Sequence, residues 1–154
     1  MPKIDLEAID QVNRTGYPPP YDRAVAGRWY RRLAPASGLT RLGASHVVLK
    51  PGAWSSQRHW HGGEDEFLVM LSGEAVLVDD AGEHILRPGD CAAFPMGEEN
   101  GHHLQNRGEE DCAFVVVSAG TSTGGDYPDI DMSFTPDGKY VRKDGTPYEA
   151  KRVS

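Results

Sequence analysis

From Ala44 onward, short apolar runs alternate with turn-forming residues at nearly even spacing, the pattern of short strands joined by tight connections. The runs predict strands over Ala44 to Leu49, Trp54 to His61, Glu66 to Leu71, Glu74 to Val78, Glu83 to Leu86, Cys91 to Phe94, His102 to Asn106 and Cys112 to Val117. Between them stand Pro51-Gly52, Gly62-Gly63, Ser72-Gly73, Asp79 to Gly82, Pro88-Gly89 and Arg107-Gly108. Glycine accepts backbone angles closed to other residues and proline presets a bend, so these positions punctuate the strands. Such a series predicts an all-β fold, a closed barrel or a jelly-roll sandwich, which leaves no long sheet edge exposed.

The flanks read differently. Ile4 to Val12 is one possible short helical stretch, and Tyr17-Pro18-Pro19-Pro20-Tyr21 is barred from a helix interior and is expected to run extended over a surface. Trp29 to Leu33 predicts a further strand. Beyond Ala119 a Gly/Ser/Thr-rich linker leads to Tyr127, Ile130, Met132, Phe134, Tyr140, Val141 and Tyr148, enough apolar surface to dock a tail on the barrel or on a neighbouring subunit. A chain of 154 residues supports one well-buried core. The expected organisation is an N-terminal arm (1–27), a β-barrel (28–120) and a C-terminal extension (121–154), with the arm and extension favouring a homodimer.

Charge narrows the partners. A formal net charge of -7 gives no electrostatic reason to approach phosphate backbones or anionic lipid, so neither nucleic acid nor a membrane is expected. No run approaches the roughly 20 apolar residues of a membrane span, and the start MPKIDLEAID lacks the basic-then-apolar order of a secretory signal, which predicts a cytoplasmic protein. Cys91 and Cys112 both fall inside predicted strands and read as reduced, buried thiols.

The candidate chemistry lies in His59, His61, Glu66 and His102. Imidazoles at i and i+2 share one face of a strand, and a carboxylate with a third imidazole would complete a four-donor metal site. Glu66 is an odd number of residues beyond His61, so an unbroken strand would aim it away from the histidines, and Gly62-Gly63 is where a bulge or turn is expected. Placing Leu104 inward selects His102 as the fourth donor and leaves His103 outside or at the rim, although the choice between these two neighbours stays open. The same parity puts Ser55 and Gln57 on the polar wall of a substrate pocket and Leu68 and Met70 on its apolar floor. His46 and His84 are lone histidines without partner spacing.

These residues resemble the cupin superfamily of double-stranded β-helix barrels. The first motif is met by Gly52, His59-Trp60-His61, Glu66 and Gly73, and the second by Gly89, Pro95-Met96-Gly97, His102 and Asn106, with one extra residue after Gly52 and two before His102. The wider pattern resembles small bacterial single-domain cupins often named sugar-phosphate-isomerase-like by analogy. The resemblance implies a jelly-roll barrel holding one divalent transition metal ion (Fe, Mn, Ni, Co or Zn). It implies isomerase, lyase or decarboxylase, or dioxygenase chemistry on a small, oxygen-rich molecule that chelates the ion through two oxygens. Glu66 is then the candidate catalytic carboxylate. The alternative is a non-catalytic, metal-dependent metabolite-binding or sensing module.

Overall fold

The computed structural model describes residues 2–149. Twelve strands are present among them: β1 (Arg28–Arg32), β2 (Gly43–Leu49), β3 (Trp60–His61), β4 (Glu64–Ser72), β5 (Ala75–Asp79), β6 (Gly82–Leu86), β7 (Cys91–Phe94), β8 (His103–Gln105), β9 (Cys112–Gly120), β10 (Gly125–Tyr127), β11 (Met132–Phe134) and β12 (Tyr140–Val141). They form three antiparallel sheets, ordered β1-β2-β9-β4-β7, β6-β5-β8 and β12-β11-β10-β3. The fold is the all-β jelly roll that the turn spacing predicts.

Alternation along β4 makes the core. Leu68 and Met70 are buried while Phe67 and Leu71 face out, because successive strand residues point to opposite faces. Val47, Leu49, Leu68, Met70 and Phe114 of the five-stranded sheet pack against Ala75, Leu77, Leu86 and Leu104 of the three-stranded sheet. The turn before β5 depends on Gly73, whose φ is 68° and whose missing Cβ would sit 2.6 Å from Asp111 O. Asn106 is almost wholly buried and closes the neighbouring connection. Its Nδ2 donates to Leu49 O and Glu110 O, and its Oδ1 accepts from Gly108 N–H.

Several expectations are corrected. The stretch Trp54 to His61 is not a continuous strand: only Trp60–His61 is extended pairing, with isolated bridges Trp54↔Gln105 and His59↔His102. Its middle is instead tied by Ser55 N–H to Leu104 O and by Leu104 N–H to Ser55 Oγ. The helical stretch shrinks to one 3-10 turn, Leu6–Ala8, started where Asp5 Oδ1 accepts from Glu7 N–H, and Val12 goes on to bridge Tyr30. The proline run makes turns rather than an extended crossing, and it buries Tyr17. A short helix, α1 (Leu33–Ala36), follows β1 directly where the predicted strand would have continued through Leu33. Of the two thiols Cys112 is buried and Cys91 is exposed, since Cys91 falls on the outward parity of β7.

A second core lies outside the barrel. Tyr17 and Val25 from the arm pack with Tyr127 and Met132 from the extension, and Tyr21, Ile130, Phe134, Tyr140 and Tyr148 surround them. Residues 150–154 of the expected extension lie outside the described residues.

Candidate metal centre

Three sheets meet at one point, and each supplies part of a donor cluster. His61 lies on β3, which pairs with β10 of the extension. His59 precedes it and exchanges two backbone hydrogen bonds with His102, the residue before β8 (His59 N–H to His102 O, 3.2 Å; His102 N–H to His59 O, 2.9 Å). Glu66 lies on β4 between Phe94 of β7 and Ser118 of β9. The parity break between His61 and Glu66 falls at Gly62-Gly63, as expected. Neither residue has a positive φ, and the glycines are required by crowding: a Cβ on Gly63 would lie 1.9 Å from Thr121 O.

The side chains converge. His59 Nε2 is 3.0 Å from His61 Nε2, His61 Nε2 is 3.4 Å from Glu66 Oε2, and His102 Nε2 is 3.1 Å from Glu66 Oε1. His59, His61 and Glu66 offer donor atoms that all lie within 4.8 Å of one another. His102 stands just outside that mutual group and approaches it through the second carboxylate oxygen. Its ring is held flat on Phe94, centroids 3.5 Å apart and planes 4° from parallel.

Tautomers follow from the partners of the other ring nitrogens. His59 Nδ1 is 2.8 Å from Gln57 O; since a carbonyl only accepts, that Nδ1 carries the hydrogen and His59 Nε2 turns a lone pair inward, whereas His102 has an acceptor at each ring nitrogen, Asn100 O 3.3 Å from Nδ1 and Glu66 Oε1 3.1 Å from Nε2. Burial pushes the His59 pKa down to about 3, so that ring is neutral. Burial also opposes the charge on Glu66, but hydrogen bonds from His102 and His61 outweigh it and hold the carboxyl well below its usual range. His61 feels burial downward and Glu66 upward, with a net rise. A lone pair on His59, the Nε2 atoms of His61 and His102 and an ionised carboxylate thus face one another. Contacts of 3.0 to 3.4 Å suit neighbouring corners around an ion whose bonds are about 2.1 Å. The donor set fits a divalent cation.

His103 is buried rather than at the rim; it lines the cavity beside the donors, but its ring nitrogens are tied away from them. Its Nδ1 is 2.9 Å from Ser56 O, its Nε2 3.0 Å from Gln105 Nε2, and its ring sits edge-on to Trp54. A cavity of about 340 Å³ opens beside the donors, lined in part by Ser55, Leu68 and Leu104. Gln57 and Met70 are not among its lining. With the strand broken at Gln57, its amide Nε2 donates to Tyr21 O, and Met70 packs deeper in the barrel core. Trp60 borders a second cavity, of about 360 Å³, that reaches His61 and His102 from the β5 to β7 side. There His84 pairs with Asp79 at 3.1 Å.

Residues that the sequence reading passed over also line the first cavity: Tyr17, Arg28 and Tyr30. The alternation Arg28-x-Tyr30, with Tyr30 inside the predicted strand Trp29 to Leu33 and Arg28 just before it, was the available signal. Tyr127 and Phe134 brace the histidines from behind, with ring centroids 5.6 Å (Tyr127 to His59) and 5.4 Å (Phe134 to His61) apart. Nothing local in the sequence marked them.

Residues 45–118 match the cupin domain model. A solved structure from Silicibacter pomeroyi, described as a sugar phosphate isomerase from a cupin superfamily, is 42% identical, covers 99% of this chain and 100% of its own, and superposes with a TM-score of 0.89. The chain belongs to the cupin superfamily. Two further cupin-like folds are more distant. A putative sugar phosphate isomerase from Acidithiobacillus ferrooxidans is 24% identical over 83% of this chain and 84% of that one, with a TM-score of 0.67. The polyketide cyclase RemF from Streptomyces resistomycificus is 20% identical over 84% of this chain and 87% of that one, with a TM-score of 0.66. At those identities they share with this cupin the fold alone. A comparison with curated proteins gives no match. Among the described residues no helix is long and apolar enough to cross a membrane.

Proposed function

We propose that this cupin is a metal-dependent enzyme for a small, oxygen-rich substrate, with His59, His61, Glu66 and His102 as ligands to one divalent transition ion. The observation that carries the reading is the convergence of three inward Nε2 atoms and an ionised carboxylate, at 3.0 to 3.4 Å, beside a cavity of about 340 Å³. A bound ion would supply Lewis acidity to a chelating hydroxy-carbonyl, diol or carboxylate, and the donor types admit Fe, Mn, Ni, Co or Zn. Isomerisation is the reaction we place first, because the relative at 42% identity is described as a sugar phosphate isomerase.

The cupin's own groups divide the work. Glu66 has its carboxyl held below the usual range by His102 and His61, which suits a ligand better than a base. Tyr17 Oη accepts from Gln57 N–H at 3.2 Å, and the residue lines the cavity. Burial pushes its pKa up to about 12, so it stays protonated and donates to a substrate oxygen. Ser55 turns a hydroxyl, and Leu68 and Leu104 an apolar floor, toward the same space.

The test is gentle purification and elemental analysis. Metal-loaded protein is then screened against sugar phosphates, free sugars and hydroxy acids, with oxygen uptake recorded. About one ion per chain and turnover without oxygen consumption are expected. No uptake of any of the five metals refutes the reading, and saturable binding without turnover replaces the enzyme with a binding module.

A further inference from the structure

Strand β1 turns one face toward the same cavity. Arg28, Tyr30 and Arg32 share that face by strand parity, and the register sets Tyr30 against Val47 and Arg32 against Ser45, both in the cavity wall. Arg28 and Tyr30 line the cavity that holds the donor cluster. Arg32 lines an adjoining one, of about 270 Å³, which shares Ser45, Glu66 and Val116 with it.

Arg28 is held by carbonyls. Its Nη1 donates to Ser55 O at 2.9 Å and its Nη2 to Arg14 O at 3.3 Å, while its guanidinium carbon lies 5.3 Å from the Tyr30 ring centroid. The Tyr30 hydroxyl donates to the same Arg14 O at 3.1 Å, so the N-terminal arm fixes both side chains. A guanidinium has several N–H donors, and these two contacts leave one on each terminal nitrogen unused.

Position and missing counter-ions together set these arginines apart. Arg31, Arg58, Arg87 and Arg107 each pair with a carboxylate; among the described residues Arg14, Arg23, Arg28, Arg32, Arg41 and Arg142 form no ion pair, and of these only Arg28 and Arg32 line the two cavities. In a chain of net charge -7, cations left unpaired along a cavity wall make a local site of the opposite sign. A rigid guanidinium fork with spare donors matches a planar or tetrahedral oxyanion.

We propose that the β1 face is an anion subsite, in which Arg28, backed by Arg32 at the mouth, receives a phosphate or carboxylate group of the molecule whose other oxygens meet the donor cluster. The proposal rests on the reading that this cavity is a substrate site beside a metal. It narrows the substrate from any oxygen-rich molecule to an anionic one and assigns the residues that select it.

The test separates anion from metal. Full-length protein freed of metal is titrated calorimetrically with inorganic phosphate and, separately, with acetate, alongside Arg28→Gln, Arg28→Lys and Arg32→Gln. Uptake of Mn²⁺ alone is measured on the same samples. Wild type is expected to bind phosphate without metal, Arg28→Gln to weaken it at least about tenfold, and Arg32→Gln by about two- to fivefold. Arg28→Lys falls between wild type and Arg28→Gln, because it keeps the charge and loses the fork. All three variants take up Mn²⁺ as wild type does.

Acetate binding with the same dependence on Arg28, in place of phosphate, identifies the group as a carboxylate and sustains the proposal. Absence of both anions from wild type, or equal binding by wild type and all variants, overturns it. If Arg28→Gln fails to fold, Arg32→Gln decides, since Arg32 holds no side-chain hydrogen bond or ion pair among the described residues; unchanged binding there overturns the arginine pair. Wild type that binds phosphate through Arg28 but takes up neither Mn²⁺ nor any of the other four metals refutes the metal reading while leaving the anion subsite standing.

Discussion

The interior of the barrel and the core between arm and extension are built from different side chains. Leu49, Leu68, Met70, Leu77 and Leu104 fill the barrel, whereas Tyr17 and Tyr127, with Tyr21, Tyr140, Tyr148 and Phe134 around them, fill the other. Aliphatic packing between two sheets fixes position through strand register. Tyrosines pack as well but also carry hydroxyls, and Tyr17 uses its own to hold the backbone before His59 through Gln57 N–H. The donor cluster straddles the seam. Glu66 rises from the barrel side, while His59 and His61 stand against Tyr127 and Phe134. The barrel therefore secures the carboxylate and, through Phe94, His102, and the aromatic core secures His59 and His61.

That division is broken most severely by removing a donor. His61→Ala is expected to lower metal affinity by more than about a hundredfold while the melting transition stays cooperative, because the ring lies outside both cores. Leu49→Ala, at a fully buried barrel position, should do the reverse: a loss of about 2 to 5 kcal/mol in chemical denaturation with stoichiometric metal uptake retained at low temperature. Equal effects of both substitutions on metal would erase the comparison.

Tyr127→Ala sharpens it, since that residue belongs to the aromatic core and also touches His59. A loss of about 3 to 5 kcal/mol, from truncating a buried aromatic, should come with about tenfold weaker metal binding. Tyr127→Phe should cost about 1 kcal/mol and leave affinity close to wild type, because ring packing survives and only the hydroxyl goes. Paired denaturation and metal titrations read both numbers.

Protonation gives a graded version. His59 stays neutral until about pH 3 and Glu66 stays ionised, so His61, whose pKa is raised, is the ring that binds a proton first. Proton and metal compete for its Nε2. Metal affinity is therefore complete above the raised His61 pKa and is lost as pH falls through it, a loss beginning above the ordinary imidazole range near pH 6.5. Metal titrations at stepped pH would show this, and a flat profile down to the carboxylate range would contradict it.

The smallest effect concerns the surface tie between the regions. Arg58 donates to Asp129 of the extension, to Asp80 in the β5–β6 turn and to Gly101 O. Both carboxylates are more than half exposed, so Arg58→Ala should cost no more than about 1 kcal/mol, and less in high salt. Melting at two ionic strengths tests it.

The barrel was more legible in the sequence than the aromatic core for a local reason. From Glu64 to Phe94 a short turn separates each strand from the next, and β5 pairs with β6 across one of them, so turn residues mark the strand ends. Strands β10, β11 and β12 have two or three residues each and show no alternation, so apolar spacing marked a docking tail without its pairing to β3. Strand parity failed at Gln57, because side-chain and main-chain bonds of Ser55 to Leu104 turn the chain before β3 begins. The grouping of His59, His61 and Glu66 was readable because spacing in sequence was enough to find it. The wall at Arg28 and Tyr30 became visible only when β1 paired with β2.

If an ion binds as proposed, donors drawn from β3, β4 and the bridged segments around His59 and His102 have a consequence for when it can be captured. A nascent or partly unravelled copy presents scattered imidazoles with no common focus, so it cannot hoard scarce metal from finished molecules. Occupancy then becomes a certificate of completed assembly, withdrawn whenever any one sheet comes apart.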